Sequence, residues 1–410
     1  MGERRRAAAW VALVAAAAFS LALFDCPGTS DVITWKRWTA NGEQLGIRDG
    51  YAANTADYPP LTTVMLVLTA KAGDLVGVDR FTAFKASLLL FLSLTTLVFC
   101  LVTRDLWLGA LLHLALTLDA MGLAYLDTWL APALLLALDA LRTGRLLLFT
   151  IAYAAVCLTK WPPIILLPFL LVHVISMRHA RDLKRLATAH VLTRVVVPGL
   201  LILAAGLALF GIELAYSLAR GLRNDYLSGN ALNANWILTH VLHVMAPQQF
   251  GPLQDGVATH VRSRDPSVML PPRLVFFATY AFALVAYMRA EKTFANLLRY
   301  AMVGYLCHIT FNTGVHENHL FVAVLLAFLL WHSERTSAAK AVVIALFVNL
   351  NLFVFYGVTG TGPPFDRAAL GIDVALPLAI LWTLYFAVLY VPAIRGHVRA
   401  PAPALPITGS

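Results

Sequence analysis

The chain has 410 residues, 60% hydrophobic and only 13% charged, where soluble domains run near ~45–50% and ~25%. Together with a mean hydropathy of +0.74, this excludes an ordinary soluble enzyme, a disordered chain and a secreted disulfide scaffold, and points to a polytopic helical membrane protein. The net charge of +9 does not mark a nucleic-acid binder, because the basic residues lie between apolar runs and form no basic module.

A helix needs ~20 apolar residues to cross the hydrocarbon. The pattern predicts spans near 7–24, 81–103, 106–122, 128–141, 146–160, 161–177, 195–212, 273–289, 300–314, 319–332, 340–356 and 373–394. Arg4, Arg5 and Arg6 precede the first run, and Phe24-Asp25-Cys26-Pro27 has no small-residue cleavage site. That run therefore reads as a retained anchor with its N-terminus inside. The positive-inside rule then puts Arg104, Arg142 with Arg145, the stretch Arg178 to Arg194, Arg289 to Arg299, Arg335 with Lys340, and Arg395 with Arg399 on the inner side. The assignment holds only if 58–78 does not cross and 231–272 stays outside with helices of its own. Three long outer segments result, 25–80, 213–272 and 357–372, and loops of this length usually carry function. The chain shows one membrane domain over 1–410, with no repeat and no low-complexity tract beyond the Pro-rich tail 401–406. Cys26, Cys100, Cys157 and Cys307 have neither disulfide nor zinc spacing.

In the first outer segment, Asp31 stands four residues before Trp35 and seven before Trp38, with Lys36 and Arg37 between. An Asp just outside a membrane helix can act as a general base, and it can equally cap a helix. The basic pair can meet a phosphate, and the tryptophans can stack on a sugar or anchor at the interface. Asp57-Tyr58-Pro59-Pro60-Leu61-Thr62 follows, where paired prolines are also a helix start. Lys160, before Trp161-Pro162-Pro163, ends a span and must snorkel or pair. In the second long segment, Arg220-Gly221-Leu222-Arg223 and Asn230 to Trp236 put arginine, Asn235 and Trp236 on the outer side, against the positive-inside trend; an anionic head group and a solvated loop both fit. His316-Glu317-Asn318-His319 lies at an outer turn. Its HExH spacing is not the HExxH of zinc proteases, so a divalent metal is not supported, and hydrogen bonding to a phosphate or sugar is the expectation. Asp119 and Asp127 flank another outer turn, and no Gly-rich phosphate loop, nucleophile elbow or Rossmann fingerprint is present.

In this order the clusters resemble the GT-C glycosyltransferases, polytopic enzymes that use polyprenyl-phosphate sugars, most closely the dolichyl-phosphate-glucose glucosyltransferases of N-glycan precursor assembly and their bacterial relatives. Asp31 and Trp38 match that family's Asp followed seven residues later by Trp, and residues 57–62 match its Asp-Tyr-Pro-Pro-Leu-Thr. Lys160 matches its Lys at the outer end of a middle span, and Arg220-Gly221-Leu222 its Arg-Gly-Leu. Ala234-Asn235-Trp236 lacks one residue of Ala-Asn-x-Trp, and His316-Glu317-Asn318 lacks the Lys of His-Glu-Lys. The likeness covers roughly 1–335; the loop between Asp31 and Asp57 and the chain itself are shorter than in the eukaryotic enzymes.

The resemblance implies an all-α GT-C fold of about twelve spans, with juxtamembrane helices in the first outer loop. It implies inverting transfer of a hexose from a polyprenyl-phosphate donor to an acceptor hydroxyl, on a lipid-linked saccharide or other glycan, at the periplasmic or lumenal face. Asp31 would be the general base. Lys160, Arg220 and His316 would bind the donor phosphate. Arg37, Trp38, Asp57, Tyr58, Asn235, Trp236, Glu317 and His319 would line the substrate site; no cofactor is expected, and dependence on a divalent metal is left open by the sequence. The Ala- and Leu-rich composition and short loops fit a bacterial inner membrane better than the endoplasmic reticulum. A transporter or flippase of a lipid-linked saccharide is the alternative, and a non-catalytic assembly subunit a third; an Asp31→Asn variant separates them.

Overall fold

The structure is a computed structural model that describes residues 3–176, 189–369 and 371–395. Part of the expected inner basic stretch, Arg399 and the Pro-rich tail lie outside the described residues. Helix makes up 78% of the described residues, so the class is all-α.

The chain begins with α1 (Glu3–Ala22). The first long loop carries α2 (Asp31–Leu45), α3 (Ile47–Asn54) and α4 (Pro60–Val76). Next come α5 (Arg80–Thr103), α6 (Leu106–Thr117), α7 (Asp127–Arg142), α8 (Leu146–Thr159), α9 (Leu167–Ser176) and α10 (Val197–Phe210). The second long loop holds α11 (Glu213–Leu222), α12 (Ala234–Met245) and the single turn α13 (Pro247–Phe250). It is followed by α14 (Pro266–Arg289), α15 (Phe294–Phe311), α16 (Phe321–Ser333) and α17 (Ala338–Tyr356). A two-residue hairpin, β1 (Ala368–Ala369) with β2 (Ile372–Asp373), precedes α18 (Ala375–Arg395).

Five helical segments are long and apolar enough to cross a membrane: Arg80–Thr103, Ala189–Phe210, Pro266–Arg289, Arg335–Tyr356 and Ala375–Arg395. The protein is therefore a membrane protein. Its other apolar helices, such as Leu106–Gly122 and Glu317–Ser333, are shorter. The stretch 58–78 contains the separate helix α4, and 231–272 contains α12 and α13. Proline at the first position of α4 needs no amide partner there, and the left-handed Gly77 closes the helix. Polar caps start the others: Asp79 accepts from the Phe81 and Thr82 amides, and Asn233 from the Trp236 amide. The buried Asn233 cap contributes ~1 kcal/mol.

The core is built on α7 and α16. Every residue from Phe321 to Leu330 is buried, because helices surround α16 on all sides. By contrast Gly206 is the buried residue of α10, whose leucines face outward. Polar side chains join helices inside the bundle. His113 of α6 lies 2.8 Å from both Ser20 of α1 and Thr96 of α5, so each ring nitrogen has a partner where no water would supply one.

Successive long helices alternate in direction, so their connections collect at two ends. One end holds the pairs of Asp139 with Arg142 and Arg145, Arg299 with Glu334, and Arg335 with Asp105. These arginines are among those the charge pattern assigned to the inner side. At the other end the loops of the candidate site are cross-bonded. The Thr29 amide donates to Leu123 O and the Gly28 amide to Thr359 O. The Thr62 hydroxyl donates to Thr159 O at 2.6 Å, and the Gly229 amide to Val315 O at 2.8 Å. Buried Lys85 of α5 draws this end together by donating to the carbonyls of Leu23, Cys26 and Met121. Gly28 has a φ of +77°, and a Cβ there would lie 2.7 Å from that of Ala124. Only glycine lets the chain turn this tightly into α2, and so fixes where Asp31 stands.

Candidate functional site

A cavity of 830 Å³ opens at the cross-bonded end. Asp31, the first residue of α2, lies at its polar head, and Trp35 and Trp38 follow on the same face of the helix, one and two turns on. Trp35 and Trp38 meet edge to face at 5.0 Å, and both pack on the Tyr58 ring, at 5.4 and 5.6 Å. Of the residues expected here, Asp31, Trp38, Asp57, Tyr58, Lys160, His316, Glu317 and His319 all line this one cavity. They come from three separate regions of the chain.

The Asp31 carboxyl is raised to about 6, first by burial and then by the nearby Glu317 charge; His316 and Lys160 partly oppose this. Among the described residues no side chain donates a hydrogen bond to it. A carboxylate raised in this way, with no side-chain donor on it among the described residues, can take a proton from a hydroxyl placed beside it. Burial also pushes the Tyr58 hydroxyl well above the usual tyrosine range, so it stays a neutral donor.

Lys160, at the end of α8, is buried, and its ammonium bonds both Asp127 oxygens, at 2.7 and 2.6 Å. It also lies 5.4 Å from the Tyr58 ring centroid. Pairing, not snorkelling, is thus how the lysine is accommodated. The His316 ring is placed by two neighbours. Asn224 accepts from the Tyr226 amide through Oδ1, which leaves its Nδ2 to donate to His316 Nε2 at 3.3 Å. The Gly229 backbone packs against the ring so closely that a Cβ would lie 2.4 Å from Nδ1. Burial holds His316 below the ordinary histidine value, so the ring is neutral at pH 7, with its proton on Nδ1. Glu317 accepts from the Tyr125 hydroxyl, and the His319 ring lies 5.6 Å from that of His316. Among the described residues no group of three His, Cys, Asp or Glu side chains is arranged to hold a metal ion.

Four expected residues do not line the cavity. Arg37 is exposed on α2. Arg220 donates to the Ala56 carbonyl at 2.9 Å and pairs with Glu213; it ties α11 to the Asp57 loop from outside. Asn235 donates to the carbonyls of Phe311 and Asn312, at 3.0 and 2.8 Å. Trp236 is fully buried against Phe355, with ring centroids 4.9 Å apart. The Asn-rich segment is therefore a clamp on the end of α15, and its neighbouring Asn233 bonds Ile309 O in the same way.

The cavity also contains Asn224, Tyr226 and Arg273, which the sequence reading passed over. Arg273 donates to the Thr313 hydroxyl at 2.6 Å and forms no ion pair among the described residues. A legible signal was present: Arg273 follows Pro271-Pro272 at the site end of a span, a cation against the positive-inside trend, just as Arg220 is. Beyond Arg273 the wall turns apolar. Ile164, Ile165 and Pro168 face Phe276, Phe277 and Tyr280 of α14, and Phe277 is 61% exposed on the outside of the bundle. The cavity is thus polar at its head and apolar where α14 borders the membrane.

No model of a known protein family matches the sequence, and no curated protein matches it.

Proposed function

We propose that the protein is a glycosyltransferase of the GT-C kind, moving a hexose from a polyprenyl-phosphate donor to an acceptor hydroxyl. The observation that carries this reading is the Asp31 carboxylate, which takes no side-chain hydrogen bond among the described residues, at the head of a cavity whose other wall is apolar and borders α14, a helix long and apolar enough to cross a membrane. An amphiphile with a polar head and a long hydrocarbon tail fits that division.

In the proposed reaction the acceptor oxygen attacks the anomeric carbon from the side opposite the phosphate. Asp31 takes the hydroxyl proton as the new C–O bond forms. The bond from the anomeric carbon to the phosphate oxygen breaks, its electron pair leaves on that oxygen, and polyprenyl phosphate departs with inversion. The proton on Asp31 then returns to water. Arg273 is a lining cation with no carboxylate partner among the described residues and is assigned to the leaving phosphate. Lys160 stays on Asp127 and shapes the local field. Neutral His316, whose Nε2 already accepts from Asn224, positions the head instead of supplying charge. The aromatic group Trp35, Trp38 and Tyr58 offers faces and edges to a sugar ring. This reading keeps about twelve membrane crossings and a site on the periplasmic or lumenal face. A flippase would hold its substrate near the membrane midplane; this cavity lies at one end of the helices, which favours transfer.

The test is a transfer assay on detergent-purified protein with a panel of short-chain polyprenyl-phosphate sugars and crude membrane acceptors. Polyprenyl phosphate released by the wild type and not by Asp31→Asn is the expected result. No release with any donor, while proteoliposomes flip a lipid-linked saccharide, would establish the transporter reading instead.

A further inference from the structure

A second cavity, of 380 Å³, lies at the opposite, basic end of the bundle, between α15, α16, α17 and α18. Its head is cationic. Arg299 is held by Glu334, with Nη2 2.6 Å from Oε2, and by Asn296 at 2.5 Å. Lys340 stands exposed at the mouth and forms no ion pair among the described residues. Among the described residues, Arg299 is paired with Glu334 and Lys340 with no carboxylate, so one positive charge at the cavity has no partner there. The rest of the wall is apolar: Val303 and Leu389 are buried, and Val388 is 65% exposed on the outer side of α18. That helix is one of those long and apolar enough to cross the membrane.

We propose that this cavity binds an anionic glycerophospholipid. Its single phosphodiester charge would be met by Lys340 and Arg299, and an acyl chain would lie along Val388 and Leu389. Three features favour this occupant. The surplus charge matches one phosphodiester. The volume, about a dozen water volumes, has room for a small head group and the first methylenes. The apolar wall continues to the lipid-facing surface of α18, which a free phosphate would leave uncovered. Basic pockets between membrane helices bind anionic head groups for this electrostatic reason. The site shares no residue with the 830 Å³ cavity, so it stands or falls independently of the proposed transfer.

The experiment is native mass spectrometry and thermal denaturation of the detergent-purified full chain. The probes are phosphatidylglycerol, phosphatidylcholine of the same acyl chains, and inorganic phosphate. The wild type is expected to retain phosphatidylglycerol in preference to phosphatidylcholine and to melt higher with it. Lys340→Glu, an exposed change that leaves the fold intact, is expected to lower phosphatidylglycerol retention about fivefold or more and leave phosphatidylcholine unchanged. Val388→Trp, which fills the groove without touching a charge, is expected to lower it as well. Equal retention of the two lipids, or a Lys340→Glu protein that binds like the wild type, overturns the proposal. So does inorganic phosphate raising the melting temperature as much as phosphatidylglycerol does.

Discussion

Asp31→Asn separates a carboxylate held ready for chemistry from one that merely caps α2, through stability instead of activity. The folded protein raises the Asp31 carboxyl from 3.8 to about 6. Between those values the folded state binds more protons than the unfolded chain, so stability falls as pH rises through this window. At 1.36 kcal/mol per tenfold change in proton affinity, the full cost above pH 6 is about 3 kcal/mol. Asp31 is partly exposed, and solvent screening reduces this to about 1–3 kcal/mol. Asparagine mimics the neutral carboxyl and avoids the cost. Asp31→Asn is thus expected to melt a few degrees above the wild type at pH 8, with the gap closing as pH falls below 4. The assay is apparent melting temperature against pH in detergent, read by tryptophan fluorescence, for both proteins. A variant that melts at or below the wild type at pH 8 would refute the reasoning, since it would mean that the carboxylate is stabilising as a cap. The same carboxyl predicts that transfer activity rises with pH through about 6 as Asp31 loses its proton.

Gly229→Ala puts a Cβ 2.4 Å from His316 Nδ1, so it is expected to cost about 1–3 kcal/mol and to lower activity as His316→Ala does. Full activity in Gly229→Ala would show that the position of that ring is immaterial. Lys160→Met strands buried Asp127 without its cation, at a cost of about 3–5 kcal/mol, and is expected to lower folded yield sharply on size exclusion. Removing both charges, as Lys160→Met with Asp127→Leu, is expected to recover most of the yield; if the single variant folds like the wild type, the pair is not structural.

The helical class and the placement of the apolar segments were determined by the sequence alone, because a membrane admits few backbone solutions and each requires a long apolar run. Helices within 58–78 and 231–272 were expected as well, the first from the paired prolines that start it. Asp31, Trp38, Asp57, Tyr58, Lys160 and the 316–319 turn were legible as polar or aromatic residues at helix ends of one predicted side, and helix alternation alone brings such ends together. Only the tertiary structure decided what each does there. Lys160 is committed to Asp127 because α7 and α8 pack side by side with both residues at the same end. Arg220 and Asn235 are spent on the carbonyls of Ala56, Phe311 and Asn312, since buried loop backbone must find donors. No local pattern reveals which carbonyl a distant side chain will meet. Arg273, by contrast, meets a hydroxyl and a backbone carbonyl and, among the described residues, no carboxylate, because of where its packing sets it. Residue type and spacing bring a side chain to the right end of a helix; whether it is free to act there depends on which partners the packed loops leave it.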